Sequence, residues 1–89
     1  MSSWRLEFDK RAEKDLKRLG VSDRRRVQAF LDDRVLALAD QRGLGKAMTG
    51  PLAGLWTYRL GDIRIIARIE DRQLIILVVA AGNRGDIYR

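Results

Sequence analysis

Two arginines can be set opposite each other from the sequence alone. Gly61-Asp62 separates two apolar-rich runs, residues 55–60 and 63–69. A Gly-Asp pair suits a two-residue hairpin turn, because glycine accepts the positive φ that such turns require. With those two residues in the loop, Leu60 faces Ile63, Arg59 faces Arg64, Tyr58 faces Ile65 and Trp56 faces Ala67. One face then carries Trp56, Tyr58, Leu60, Ile63, Ile65 and Ala67, a core; the other carries Thr57, Arg59, Arg64, Ile66 and Arg68. Like charges directly opposite on a sheet oppose folding by a few tenths of a kcal/mol or more. Arg59 and Arg64 are therefore either solvated on an open face or used to hold an anion. A further arginine, Arg84, sits in the run Gly82-Asn83-Arg84-Gly85-Asp86-Ile87-Tyr88-Arg89. The glycines would let backbone N–H groups come close to a phosphate. The same run also reads as a plain turn that ends the sheet, with Tyr88 folded back over the core.

Composition narrows the chemistry. The chain has 89 residues, enough for one domain spanning 1–89 with a single core. A two-domain enzyme with its own nucleotide-binding fold is excluded. There is no cysteine, hence no disulfide framework, thiolate nucleophile or cysteine-ligated metal. There is no histidine, which removes the commonest metal ligand and the commonest general base at neutral pH. Eighteen basic against twelve acidic side chains leave a net charge of +6. A small basic domain points to an anionic partner, nucleic acid or an acidic protein, or simply to a solvated surface. The apolar run at residues 74–81 is far shorter than the roughly 20 residues a membrane helix needs. With no apolar segment near the N-terminus, a cytoplasmic location and no membrane partner are expected.

The elements that must position these residues follow from periodicity. Trp4, Leu6 and Phe8 alternate with Arg5 and Glu7, a short half-buried strand. Asp9 can cap a helix whose inner face is Ala12, Leu16 and Leu19 and which Gly20 ends. Ser22 is the expected cap of a second helix, with Val27, Phe30, Leu31, Val35 and Leu38 as its buried stripe. Residues 41–54 hold four glycines and Pro51, the only proline, and read as a loop with a short strand around 46–48. Strands follow at 55–60, 63–69 and 74–80, the last apolar on both faces and so central. The fold class is α+β: two N-terminal helices packed on a twisted antiparallel sheet of about four strands.

These pieces together resemble the RelE branch of the RelE/ParE toxin superfamily, the toxins of type II toxin–antitoxin pairs. The resemblance rests on Trp4…Phe8, on A-E-K-D-L-K-R-L from Ala12 to Leu19, and on Gly45-Lys46…Gly50-Pro51-Leu52. It continues through Gly54-Leu55-Trp56-Thr57-Tyr58-Arg59-Leu60-Gly61-Asp62-Ile63-Arg64 and the run from Gly82 to Arg89. It implies a ribosome-dependent endoribonuclease that cuts mRNA in the ribosomal A site, with no cofactor and no metal. It also implies a cognate RelB-like antitoxin as protein partner. The family's working positions fall here on Arg64, Arg84 and Tyr88 as catalytic residues, and on Lys46, Arg59 and Arg68 as RNA-binding ones. Two positions depart from the family pattern: Thr57 stands where a second basic residue is common, and Asn83 where many relatives have histidine.

The implied reaction is attack of the RNA's own 2′-hydroxyl on the adjacent phosphorus, giving a 2′,3′-cyclic phosphate and a free 5′-hydroxyl. Arginine suits the phosphorane, since its planar fork holds two oxygens and its charge persists at neutral pH. It suits proton transfer badly. Tyr88 is the best base in the set; a free phenol has a pKa near 10, and neighbouring arginines favour its phenolate. Two other readings stand beside this one. One is a ParE-like gyrase poison without nuclease activity. The other is a non-catalytic basic nucleic-acid-binding or co-repressor module.

Overall fold

The computed structural model describes residues 4–37 and 41–83. β1 (Arg5–Phe8) leads into α1 (Lys10–Leu19) and α2 (Val21–Phe30). β2 (Gly45–Ala47), β3 (Trp56–Leu60), β4 (Ile63–Glu70) and β5 (Ile75–Asn83) follow. The strands form one sheet in the order β1-β5-β4-β3-β2, and the helices lie on one of its faces. The expected α+β class is the one found. The sheet has five strands rather than about four, and it is mixed: β1 runs parallel to β5, while the other pairs are antiparallel. Alternation in residues 4–8 marks a strand but says nothing about its neighbour. The long connection that includes α1 and α2 lets the first strand return beside the last in parallel.

Asp9 caps α1 as expected, its Oδ1 accepting the Ala12 N–H at 2.9 Å. Ala12 and Leu16 are buried, and Leu19 packs against the same cluster. Ser22 is not the cap of α2. The helix starts two residues earlier than a Ser22 cap implies, at Val21, and Gly20 serves as both the end of α1 and the start of α2, its carbonyl accepting the Arg24 N–H at 3.0 Å. A junction of one residue leaves Ser22 already inside the first turn. α2 then widens into a π-helical turn, Leu31–Val35, closed by Leu36 N–H to Leu31 O at 2.9 Å. The reason is visible in the spacing. Val27, Leu31 and Val35 recur every four residues, more than the 3.6 of an α-helix, and the wider turn keeps all three buried. Leu38, expected on that stripe, lies outside the described residues.

The β3–β4 register is the one the turn dictates: Leu60 pairs Ile63, Arg59 pairs Arg64, Tyr58 pairs Ile65 and Trp56 pairs Ala67. Gly61 has φ 60° and Asp62 does not share the positive sign, the pattern of a turn with glycine at its first loop position. Tyr58 is fully buried and meets Phe30 of α2 edge-on, with ring centroids 6.4 Å apart. Its ring also reaches beneath β2. A Cβ at Gly45 would lie 3.1 Å from Tyr58 Cε1, so the close strand approach depends on glycine there.

β5 runs longer than expected at its C-terminal end. Gly82 and Asn83 belong to the strand, paired with Arg64 and Ile63. The ladder between β4 and β5 slips by one residue: Ile66 pairs Ala80 but Ala67 pairs Val78, so Val79 is an extra residue in β5. Such a bulge shifts the inward–outward alternation by one. Val78 and Ala81 consequently both join the helix-side core, while Val79 and Ala80 join a second small cluster on the other face. Among the described residues no helix is long and apolar enough to cross a membrane.

The turn between β4 and β5 ends on Leu74, whose φ is 57°. A non-glycine residue there is disfavoured by roughly 1–2 kcal/mol. Leu74→Gly should therefore stabilise the fold by about 0.5–1 kcal/mol, after the flexibility that glycine adds to the unfolded chain. Thermal melting followed by circular dichroism should show the midpoint rising by several degrees; a fall would mean that the Leu74 side chain contributes more than its strain costs.

Candidate nucleic-acid interface

The face of the sheet turned away from the helices carries the candidate side chains, and the pairing arranges them in rows. The first row, at the β3–β4 hairpin end, is Arg59, Arg64 and Gly82. The next is Lys46, Thr57, Ile66 and Ala80. Further along, Arg68 pairs Leu77, which pairs Glu7 of β1. The far row holds Glu70, Ile75 and Arg5. Each row follows from local alternation plus the two hairpin registers. The side-chain period of two keeps Arg59, Arg64 and Lys46 on one face.

Charge on this face is uneven. It holds five basic residues (Arg5, Lys46, Arg59, Arg64, Arg68) and two acidic ones (Glu7, Glu70). Both acids lie toward the far end, near their own arginines: Arg5 Nη2 is 3.9 Å from Glu7 Oε2, and Arg68 Nε is 3.9 Å from Glu70 Oε1. Among the described residues, Lys46, Arg59 and Arg64 form no ion pair. The surplus charge is therefore concentrated at the hairpin end. Arg64 is half-buried, with Arg59 and Lys46 exposed beside it. A guanidinium held in place by its surroundings loses less freedom on binding an anion than one free in water.

Between the cations lies apolar ground. Ile66 and Ala80 are buried there, with Met48, Leu55 and Val79 packed against them. Cations around a small apolar platform suit a polyanion whose other parts are flat and weakly polar, which describes a nucleotide chain. The sequence signal for this platform was Ile66, an isoleucine on the arginine side of β4. The partners from β5 could not be read, because the bulge changes which of its residues face that way.

The structure brings Arg59 and Arg64 together and sets Lys46 in the neighbouring row. Arg68 lies apart from them, four residues along β4 from Arg64, or about 13 Å, and next to Glu70. Arg84 and Tyr88 lie outside the described residues. Asn83 is the last described residue of β5 and pairs with Ile63. Thr57 sits in the Lys46 row, and its Oγ1 is buried with no hydrogen-bond partner among the described residues.

A second concavity lies on the helical side. A groove of about 330 Å³ is lined by Phe8, Glu13, Leu16, Lys17, Arg24, Arg25 and Gln28. Phe8 and Leu16 give it an apolar part, and its charged lining is three cations and one acid, Glu13.

The chain has counterparts among known proteins. Residues 6–88 match the family described as the ParE toxin of type II toxin–antitoxin systems, parDE. The curated protein Toxin RelG of Mycobacterium tuberculosis (strain ATCC 25618 / H37Rv) is 35% identical over 46 residues. That alignment covers 52% of this chain and 53% of RelG, so the chain matches about half the length of that relative. A chain in the crystal structure of the toxin–antitoxin complex RelBE2 from M. tuberculosis superimposes with a TM-score of 0.84 at 24% identity, covering 97% of each chain. The isolated RelE toxin of E. coli gives 0.70 at 20% identity, over 91% of this chain and 84% of that one. At those identities the two structures show the shared fold alone. The archaeal RelE–RelB complex from Pyrococcus horikoshii OT3 gives 0.69 at 26% identity, covering 94% of this chain and 98% of the other.

The orphan hydroxyl gives a direct test of this face. Replacing a buried unpartnered hydroxyl by a methyl of the same shape removes a desolvation penalty of about 1–3 kcal/mol. Thr57→Val should raise stability by about 1 kcal/mol in chemical denaturation. A loss of stability would show that the hydroxyl is hydrogen-bonded in solution.

Proposed function

The chain belongs to the ParE toxin family of type II toxin–antitoxin systems, and from that premise we propose that it is an endoribonuclease of the RelE kind, cutting mRNA in the ribosomal A site. The observation that carries this reading is the cationic row of Arg59 and Arg64 at the end of the open sheet face, without an ion pair among the described residues. Gly82 of β5 belongs to that same row, β5 ends one residue further on at Asn83, and Arg84 is the next residue.

The chemistry requires little of the protein beyond charge and alignment. The 2′-oxygen forms a bond to phosphorus, and the bond from phosphorus to the 5′-oxygen breaks. The proton leaves the 2′-hydroxyl, and another is supplied to the departing 5′-oxygen. Arg64 and Arg84 take the non-bridging oxygens, whose charge grows as the phosphorane forms, so their hydrogen bonds strengthen in the transition state. Lys46, Arg59 and Arg68 hold flanking phosphates. Tyr88 takes the proton. Tyrosine is a poorly matched base at neutral pH, which fits an enzyme that depends on the ribosome to orient its substrate.

The partner in this reading is a RelB-like antitoxin. RelE–RelB and RelBE complexes are known among the structural relatives. An amphipathic acidic segment suits the groove between α1 and α2, whose lining includes apolar Phe8 and Leu16 and the cations Lys17, Arg24 and Arg25.

The matched family carries the ParE name, and the second reading is the ParE-like one, a poison of DNA gyrase. The test is primer extension on a defined mRNA in a purified translation system, with and without ribosomes. The expected outcome is cutting only with ribosomes. Arg64→Ala and Arg84→Ala should each lower the rate by about 100-fold or more, as for removal of one transition-state donor. Tyr88→Phe should lower it by about 100-fold to 10,000-fold, as for loss of a general acid–base. All three should still bind the antitoxin. Arg68→Ala should change the rate only a few-fold, since Glu70 already offsets its charge at an exposed position. Intact message, together with inhibited supercoiling by purified gyrase, would replace this reading with the second.

A further inference from the structure

Asp15 is the one acidic residue on the inner side of α1, between Ala12 and Leu19 and next to Leu16. Its side chain is 14% exposed. Its Oδ2 accepts the backbone N–H of Ala81, in β5, at 3.1 Å, and lies 3.7 Å from Arg11 Nε. A carboxylate on a helix rarely serves a strand 66 residues away, and the sheet shows why this one does.

β1 covers its edge of β5 only as far as Val78. There the chain leaves the sheet, with Asp9 N–H donating to Val78 O at 3.0 Å, and α1 begins. β5 runs on to Asn83 with β4 on its other edge. The bulge at Val79 shifts the alternation by one and turns the Ala81 N–H away from β4, toward the edge that β1 no longer covers. Ala81 is buried, and a buried N–H without a partner is strongly disfavoured. The Asp15 carboxylate takes the place of the missing strand.

We infer that Asp15 is a positioning residue for the basic row: it pins the C-terminal end of β5, and through it the pairing of Gly82 with Arg64. Asn83 is the strand's last residue and Arg84 follows it, so the same hydrogen bond fixes the backbone from which Arg84 departs. Asp15 touches no substrate; it acts through Ala81. The inference rests on the proposed ribonuclease reading for its consequence, while the clamp itself is a statement about β5.

The test compares the full-length wild type with Asp15→Ala and Asp15→Asn in two measurements. Amide hydrogen exchange reads the clamp; ribosome-dependent cleavage kinetics, resolved into kcat and KM, read its consequence. In Asp15→Ala, exchange at Ala81 and Gly82 should rise by about tenfold or more while Ile65 and Ile66 stay protected. kcat should fall by about tenfold to a hundredfold, with KM nearly unchanged, as for a small displacement of a reacting group. Asp15→Asn keeps an acceptor oxygen and should restore both. Unchanged exchange in Asp15→Ala overturns the clamp. Raised exchange with wild-type kcat overturns the positioning role, and so does an Asn variant as impaired as the Ala variant. If Asp15→Ala does not fold, Asp15→Glu replaces it: the acceptor moves by one methylene, and unchanged exchange and kcat would overturn the inference. A wild type that cuts nothing overturns the functional reading instead, and the exchange data still decide the clamp.

Discussion

β5 has to be buried on both faces and bonded along both edges, and the other elements are arranged around that demand. Its nine residues are covered on one edge by β4 along their length and on the other by β1 for only part of it. One face meets α1 and the main core; the other closes over Ile66. The bulge at Val79 reconciles these requirements by moving one residue out of phase. It lets Val78 and Ala81 both face the helices, and it leaves an N–H that a helix side chain must satisfy. A single extra residue thus links the helical layer, the sheet register and the end of the basic face.

The same arrangement explains how a sheet tolerates arginine opposite arginine. The pair sits at the hairpin end, exposed or half-buried, where water and counter-ions screen its repulsion. The acids of this face are spent locally at the opposite end, beside Arg5 and Arg68. Separation of paired from unpaired charge along one face produces a field directed at one end of the sheet, which a uniform scatter of the same residues would not. Apolar Ile66 and Ala80 lie beside that end and lower the local polarity, which in the proposed reading would strengthen contacts between the guanidinium groups and phosphate.

Much of this was legible in the chain because it depends on short-range rules. The α1 cap at Asp9 and the four-residue spacing of Val27, Leu31 and Val35 are local patterns. So is the Gly61-Asp62 turn, and each appears in the structure where the pattern put it. That spacing does not by itself show the width of the helix that carries it; a π-helical turn is the physical answer to a period longer than 3.6. Ser22 misled because the capping rule ignores how little chain separates α1 from α2. For the candidate site, the hairpin dictated that Arg59 opposes Arg64, but could not show that Arg68 would lie beside an acid or that the Thr57 hydroxyl would be buried without a hydrogen-bond partner among the described residues.

By itself, then, the sequence determined the residue types, the hairpin register and the α+β class, because alternation, helical period and turn chemistry act over a few residues. Tertiary structure decided the rest: that β1 lies parallel to β5, that β5 carries a bulge, and that Asp15 reaches Ala81. These are pairings between segments separated by dozens of residues, chosen by the burial and hydrogen-bond needs of the whole sheet. No local pattern encodes them, because the group that must be satisfied exists only once the strands have met.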